Sequence, residues 1–295
     1  MRKQNLFESN LKRIGLVNVN AKSIDSINSD TYKPYIKILY LPKGYKLTID
    51  FAVYDTKQPS VFFVAPNQFL KIEKYGAKPG HFIFYNRDFY CIQLHDSEVA
   101  CDGLLFNNIN NMPVVTVPKQ EIVFLNYLFG QIEYEFSLVD TSLEEMIRTY
   151  LKQLLIRSVR LWKEQHLDKT MVEQNNSLEF FRKFTLLVDA HYRKKHTVAD
   201  YADVLAMAPK TLTHKFKRLN LPPPNEIIKN RIILEAKRLL IYTSMTAKEI
   251  AHELGYDDPA YFSRQFLVKT GESPSAFRSK YLETINGYLL TPVIS

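Results

Sequence analysis

Two short segments in the C-terminal part of this 295-residue sequence carry side chains suited to contacting phosphates and the edges of DNA bases. In each segment two apolar residues stand four positions apart, so that one face of a helix would be buried and the other exposed. Cationic, hydroxyl and amide groups on such an exposed face reach phosphates and base edges. The predicted DNA-binding residues are Lys210, Thr211, Thr213, His214 and Lys217 in the first segment, and Ala260, Tyr261, Ser263, Arg264 and Gln265 in the second. For Arg264, the alternative is a structural ion pair with Glu253 or Asp257.

The two segments belong to one pattern that occurs twice. Residues 197–202 (Thr-Val-Ala-Asp-Tyr-Ala) align with residues 246–251 (Thr-Ala-Lys-Glu-Ile-Ala), 49 positions later. Further along, Phe216 in the first copy corresponds to Phe266 in the second. A repeat at this spacing indicates two copies of one supersecondary unit.

Each copy has the signals of a helix, a tight turn and a second helix. A threonine precedes the first helix of each copy and an acidic residue follows three positions later, which is the pattern of a capping box. In the second copy, Gly255 suits a turn that needs a positive φ, and Asp258 followed by Pro259 begins the next helix. The pattern predicts two helix-turn-helix units, joined by one long helix over residues 225–242.

A long helix between two helix-turn-helix units resembles the AraC/XylS family of bacterial transcription regulators. The resemblance extends over the C-terminal third of the chain and rests on four motifs: residues 231–240 (Arg-Ile-Ile-Leu-Glu-Ala-Lys-Arg-Leu-Leu), 250–256 (Ile-Ala-His-Glu-Leu-Gly-Tyr), 261–266 (Tyr-Phe-Ser-Arg-Gln-Phe) and 270–275 (Thr-Gly-Glu-Ser-Pro-Ser). The first copy departs from the family pattern at Ala206, Ala208 and His214, where glycine, serine and arginine are usual.

The resemblance implies a sequence-specific regulator that binds double-stranded DNA in the major groove at two adjacent half-sites. It further implies a homodimer, a small-molecule effector bound by the N-terminal domain, and RNA polymerase as a partner.

The positive charge of the chain is concentrated in the part that contains the repeat. Residues 175–282 hold 18 Lys and Arg and 11 Asp and Glu, a net charge of +7 out of the total of +8. A merely basic protein is not expected to separate its charge in this way, whereas attraction to a phosphate backbone accounts for it. The charge distribution therefore supports the DNA-binding prediction.

The N-terminal half has the pattern of short β-strands separated by turns. The segments rich in β-branched and aromatic residues are 35–41, 46–54, 60–64, 69–74, 81–86, 89–94, 103–107 and 114–117. Eight short strands predict a β-barrel or jelly roll, which resembles the cupin-like regulatory domain of the family. The candidate residues lining an effector cavity are Ile38, Tyr40, Phe51, Phe63, Phe82, Phe84, Tyr90 and Ile92. For each of them, plain core packing is the alternative.

Two helices are predicted after the strands, over residues 119–136 and 140–165. The second helix carries a wide apolar stripe, for which the resemblance implies a dimer contact. The predicted interface residues are Leu143, Ile147, Tyr150, Leu151 and Leu154. The alternative is that this stripe covers the barrel within one chain.

These patterns predict a multi-domain α+β chain, with a cupin-like β-barrel or jelly roll and two helices followed by an all-α domain. The predicted boundaries are residues 1–166 for the regulatory and dimerisation domain, 167–176 for a linker, 177–283 for the double helix-turn-helix domain and 284–295 for a tail.

Composition argues against several other classes of protein. Two cysteines are too few for a disulfide framework, and no apolar run is long enough to span a membrane, so we expect a cytoplasmic protein without a membrane partner. The sequence lacks the histidine pair of a metal-binding cupin, a glycine-rich phosphate loop and a nucleophile elbow, so we expect no metal, cofactor or catalytic residue. Two alternatives remain: a barrel enzyme fused to a DNA-binding module, and a DNA-binding adaptor whose N-terminal domain binds a protein and senses no ligand.

Overall fold

The computed structural model describes residues 5–91, 104–106, 114–138, 140–166, 175–218 and 221–289. The chain divides into two compact units, an N-terminal unit (Met1–Arg182) and a C-terminal unit (Lys183–Ser295). Most of the predicted linker lies outside the described residues, and the boundary between the units falls within a helix just beyond it. Among the described residues, no helix is long and apolar enough to cross a membrane.

The N-terminal unit is built on two antiparallel sheets. The strands are β1 (Leu6–Ser9), β2 (Lys12–Val19), β3 (Ile36–Leu41), β4 (Lys46–Ile49), β5 (Ala52–Asp55), β6 (Ser60–Val64), β7 (Leu70–Lys74), β8 (Gly80–Tyr85) and β9 (Val114–Thr116). The large sheet has six strands in the order β1-β2-β8-β3-β6-β9, and the small sheet has three in the order β5-β4-β7. A short helix, α1 (Ile24–Ile27), and a 3-10 turn (Asp30–Tyr32) connect β2 to β3.

Apolar side chains from both sheets form one core between them. Leu39, Phe62 and Phe82 of the large sheet meet Leu47 and Ile72 of the small sheet, and all five are buried. Strands β3 and β6 are buried along their whole length, because helices cover the other face of the large sheet. Burial on both faces explains why the sequences of these two strands are almost entirely apolar and do not alternate with polar residues.

Helices α2 (Lys119–Ser137) and α3 (Leu143–His166) cover the outer face of the large sheet. The ring of Phe129 in α2 stacks on those of His81 and Tyr40, with centroids 4.6 and 5.4 Å away. Ile147 and Leu151 of α3 line a small apolar space together with residues of β2 and β8. The predicted antiparallel β domain followed by two helices is confirmed.

The structure corrects the prediction of one strand over residues 46–54. These residues form β4 and β5, joined by a tight turn at Asp50, which has a φ of +50°. The carboxylate of Asp50 accepts hydrogen bonds from the backbone N–H of Phe69 and the side-chain amide of Gln68. Because the partners lie about 20 residues away and no glycine marks the turn, local sequence did not reveal it.

Two further strand predictions are only partly covered by the structure. Residues 89–91 do not form a strand, and residues 92–94 lie outside the described residues. At residues 104–106 the chain forms a turn and a single bridge at Phe106.

Lys37 lies on the inward face of β3, where its side chain is only 2% exposed. Its ammonium donates hydrogen bonds to the carbonyl oxygens of Tyr35, Tyr32 and Ala65 at 2.9, 3.2 and 3.4 Å. Burial lowers the pKa of Lys37 to about 8, against the opposing effect of Asp50. The charged form is therefore held in the core at a cost in stability.

We expect the substitution Lys37→Met to remove a pH dependence of stability. The unfolded chain binds this proton up to its ordinary pKa of 10.5, whereas the folded chain releases it near pH 8. Between these values the unfolding free energy of the wild-type unit should rise with pH, by about 1–2 kcal/mol from pH 8 to pH 9.5 relative to Lys37→Met. Urea unfolding followed by the fluorescence of Trp162, the single tryptophan, measures this difference. Parallel pH profiles for the two proteins would contradict it.

The described chain beyond residue 174 is helical. Its helices are α4 (Asn175–His191), α5 (Val198–Val204), α6 (Pro209–Arg218), α7 (Pro224–Tyr242), α8 (Ala247–Glu253), α9 (Pro259–Thr270) and α10 (Pro274–Leu289). Both predicted capping boxes are present, formed by Thr197 with Asp200 and by Thr246 with Glu249. The predicted all-α domain is confirmed, with α7 as the long helix between the two copies.

Candidate nucleic-acid interface

The two helix-turn-helix units consist of α5 with α6 and α8 with α9. Leu212 and Phe216 anchor α6 in the core, and Phe262 and Phe266 anchor α9 in the same way, each with no exposed surface. This burial fixes which face of each second helix points outward. We call α6 and α9 the reading helices.

The outward face of α6 carries all five residues predicted for it. Lys210, Thr211, Thr213, His214 and Lys217 are exposed. Sequence reasoning missed Arg218, which is also exposed and lines an open groove with Thr211, His214, Lys215 and Lys217. Its position in the basic last turn of the helix was the available signal. Helix α6 thus presents four Lys and Arg residues and no acidic residue, which favours contact with phosphates.

The outward face of α9 separates its predicted residues into two groups. Ala260, Tyr261 and Arg264 are exposed, whereas Ser263 and Gln265 are half-buried. The Ser263 hydroxyl donates to the carbonyl of Pro259 at 2.9 Å, and the Gln265 amide donates to the Tyr261 hydroxyl. The first group is therefore more available to DNA than the second.

The guanidinium of Arg264 lies near the carboxylate that begins its own helix. Arg264 Nη2 is 3.6 Å from Asp258 Oδ2, and both side chains are more than half exposed. Asp258 also caps the helix by accepting from the backbone N–H of Ala260 at 2.8 Å. Glu253, one of the two alternative partners of Arg264, instead pairs with Arg193 at 2.9 Å. A long, exposed pair of this kind contributes little stability, so it leaves Arg264 able to turn toward DNA.

The turns of the two copies differ at one equivalent position. Gly255 in the second copy has a φ of +79°, and Ala206 in the first has a φ of +52°. A left-handed conformation is unfavourable for alanine because its Cβ crowds the backbone. Ala206, which stands where the family has glycine, therefore keeps the geometry of the turn but adopts a strained backbone conformation.

The candidate effector residues are divided between the two faces of the large sheet. Phe82 and Phe84 belong to the core between the sheets. Ile38, Tyr40 and Phe63 alternate to the opposite face, which α2 and α3 cover. Tyr90 packs against Tyr85, Phe51 occupies the turn between β4 and β5, and Ile92 lies outside the described residues. Strand alternation separates residues that the sequence alone could not assign to a face.

The candidate dimer residues lie mostly inside the single chain. Ile147, Leu151 and Leu154 are at most 1% exposed, because the apolar stripe of α3 packs within the N-terminal unit. Leu143 and Tyr150 are half-buried. The three buried residues are therefore not free to contact a second chain. They match the alternative prediction, in which this stripe covers the β domain of its own chain.

Comparison with known proteins agrees with the architecture of the C-terminal unit. A model of a helix-turn-helix domain family matches residues 201–280. The uncharacterized HTH-type transcriptional regulator YijO of Escherichia coli (strain K12) is 26% identical over 200 residues, which cover 68% of this chain and 67% of the relative. The arabinose operon regulatory protein of the same organism is 34% identical over 89 residues, or 30% of each chain.

Among solved structures, ToxT from Vibrio cholerae O395 aligns with 98% of this chain and 96% of its own, at 14% identity and a TM-score of 0.41. The repeated helix-turn-helix units and the long helix between them are features of this chain itself, and several of its relatives by sequence are transcription regulators. The C-terminal part of the chain is therefore a helix-turn-helix domain of the AraC type, which it shares with these transcription regulators.

Proposed function

We propose that α6 and α9 enter successive major grooves on one face of a DNA duplex and read two adjacent half-sites in a sequence-specific manner. The observation that carries this proposal is the pair of reading helices, each anchored by two buried aromatic or leucine side chains and polar on its outward face. Helices that serve one face of a duplex lie about 34 Å apart, which is one helical turn. The net positive charge of the C-terminal part supplies the attraction to phosphates.

Selection of bound sequences from a random duplex library tests this proposal. We expect the full chain to enrich a bipartite motif whose half-site centres lie about 10 base pairs apart. Enrichment of one isolated half-site, or of no sequence, would contradict it.

The same proposal includes RNA polymerase as a partner, reached in the cytoplasm at promoters next to the bipartite site. Transcription in vitro from a template that carries the selected site tests this. A change in transcript level that disappears when the site is scrambled would support the partnership, and equal transcription from both templates would contradict it.

The proposed effector is small and apolar and binds between the two sheets of the N-terminal unit. Phe82 and Phe84 lie in the core there, and their rings contact that of Tyr32 with centroids 5.1 and 4.6 Å away. Tyr32 and Tyr35 are half-buried, so this aromatic cluster reaches the surface at one end of the core. Aromatic side chains at the mouth of an apolar site are common in small-molecule binding.

Thermal unfolding in the presence of a library of apolar compounds tests the effector site. We expect an effector to raise the unfolding temperature of the wild-type N-terminal unit, and Phe82→Trp to abolish the rise by changing the packing between the two sheets. A compound that stabilises both proteins equally would bind elsewhere.

A dimer contact is best supplied by the exposed face of α2. Val123, Tyr127 and Tyr134 are 77%, 63% and 57% exposed, although all three are large and apolar or aromatic. Their spacing puts them on one side of the helix, and Gly130 between them leaves room for a second backbone to approach. We therefore propose that this stripe of α2, and not the covered stripe of α3, forms the dimer interface.

We expect Tyr127→Lys to convert a dimer into a monomer at tens of micromolar protein. A lysine there places a strongly hydrated charge in the centre of the apolar contact. Sedimentation velocity measures the change. The matched control is Val53→Lys, which puts the same charge on an exposed valine of β5, away from α2, and should leave the dimer intact. A wild-type monomer at this concentration would overturn the proposed dimer.

A further inference from the structure

Residues 193–196 contact both helix-turn-helix units, although they lie outside both. They follow α4 and precede Thr197, which caps α5. We call residues 193–196 the brace.

The brace is attached to the first helix-turn-helix unit by two hydrogen bonds. The backbone N–H of His196 donates to Asp200 Oδ2 at 3.0 Å. The hydroxyl of Tyr201 donates to the carbonyl oxygen of Lys195 at 3.0 Å. Since Asp200 and Tyr201 belong to α5, the brace moves with the first unit.

The other side of the brace is attached to the turn of the second unit. His196 Nε2 donates to the carbonyl oxygen of Leu254 at 2.8 Å, because a carbonyl can only accept. The imidazole also packs on the ring of Tyr256, with centroids 4.6 Å apart. Arg193 Nη1 pairs with Glu253 Oε1 at 2.9 Å. Hydrogen bonding, ring packing and charge therefore converge on one turn.

Gly255 allows this approach as well as the turn. A Cβ on Gly255 would overlap the carbonyl oxygen of Arg193, so the brace lies directly against the glycine backbone. The first unit keeps a Cβ at the equivalent position, Ala206, in the same kind of turn. The second copy therefore needs glycine for a reason beyond its φ: contact with the brace.

We infer that the brace holds the two reading helices at one fixed separation, and that His196 and Arg193 are positioning residues for recognition of two half-sites. Helix α7, the covalent link, has 19 residues and a length of about 28 Å. Helices of both units pack against α7, but a helix of this length bends, so these contacts alone let the separation of the reading helices vary. A second attachment removes that freedom before DNA binds and so restricts the spacings that both helices can bind together. The inference rests on the proposed binding of two half-sites.

The test measures how binding depends on the distance between half-sites. The probe is the duplex selected by the wild-type chain, with its spacer changed in single steps from two base pairs shorter to two longer, and binding is read by fluorescence anisotropy at fixed salt. We expect wild-type affinity to fall about tenfold or more at the ends of this series. His196→Phe keeps a ring on Tyr256 but loses the donor to Leu254. Its affinity should fall only about threefold at the ends of the series.

Two further variants separate positioning from folding. His196→Gln retains a side-chain N–H that can donate, so it should restore most of the spacing preference. Glu253→Gln breaks the pair with Arg193 on an exposed side chain and should relax the preference even if His196→Phe fails to fold. His252→Ala, an exposed histidine of α8, is the matched control and should behave as wild type.

The inference is overturned if folded His196→Phe and Glu253→Gln keep the full wild-type spacing preference. It is also overturned if they lose affinity by the same factor at every spacing. Failure of the wild-type chain to select any sequence would instead overturn the proposed function.

Discussion

Replacing Gly255 with alanine is expected to destabilise the C-terminal unit by about 3–5 kcal/mol, from backbone strain and overpacking together. The strain arises because Gly255 has a φ of +79°, where alanine is unfavourable. The overpacking arises because the new Cβ would overlap the carbonyl oxygen of Arg193, which belongs to a segment held by several hydrogen bonds. Backbone cannot move aside as easily as the end of a flexible side chain.

Gly271→Ala is the matched control for this prediction. Gly271 has the same φ of +79°, but a Cβ there would meet nothing within 4 Å. It should therefore show the backbone strain alone, about 1–2 kcal/mol. The reciprocal change, Ala206→Gly, relieves a positive φ of +52° and should stabilise the unit by up to about 1 kcal/mol.

Urea unfolding distinguishes the effects of these three substitutions on each unit. Circular dichroism at 222 nm reports the helices, most of which lie in the C-terminal unit, while the fluorescence of Trp162 reports the N-terminal unit. We expect the circular dichroism transition to shift and the fluorescence transition to stay. If Gly255→Ala and Gly271→Ala lower the unfolding free energy equally, the contact with Arg193 contributes nothing to the cost of Gly255→Ala.

Replacing Arg264 with alanine is expected to weaken binding to the selected duplex by about 1–3 kcal/mol. Its side chain is 67% exposed, so its loss should leave the fold of the unit nearly unchanged. The loss removes a cation from the reading face of α9 and leaves the carboxylate of Asp258 without its partner, close to the phosphates. Both effects act against binding.

Arg264→Lys and Lys280→Ala complete this experiment. Lysine keeps the charge but cannot form a bidentate contact, so recovery of affinity identifies a phosphate contact, and a changed base preference at one position identifies a guanine contact. Lys280 lies on α10, outside the reading helices, and is 64% exposed, so Lys280→Ala should cost little. Anisotropy at one fixed salt concentration measures all three. Wild-type affinity in Arg264→Ala would remove this residue from the proposed interface.

Local signals explain how much of the C-terminal unit the sequence predicted. The capping boxes of Thr197 with Asp200 and Thr246 with Glu249 join residues three positions apart, and both are present in the structure. The anchoring pair Phe262 and Phe266 is one helical turn apart and fully buried. Because these interactions join residues only three or four positions apart, sequence patterns identify them.

By itself, the sequence determined the two helix-turn-helix units, the long helix between them and the β domain before them. Only the tertiary structure decided that Phe82 points into the core between the sheets while Tyr40 points toward α2, and that the stripe of α3 is covered within one chain. It also brought His196 to Leu254, 58 positions away. Each of these outcomes depends on contacts between distant segments, and a one-residue change of register would reverse which side of a strand is buried.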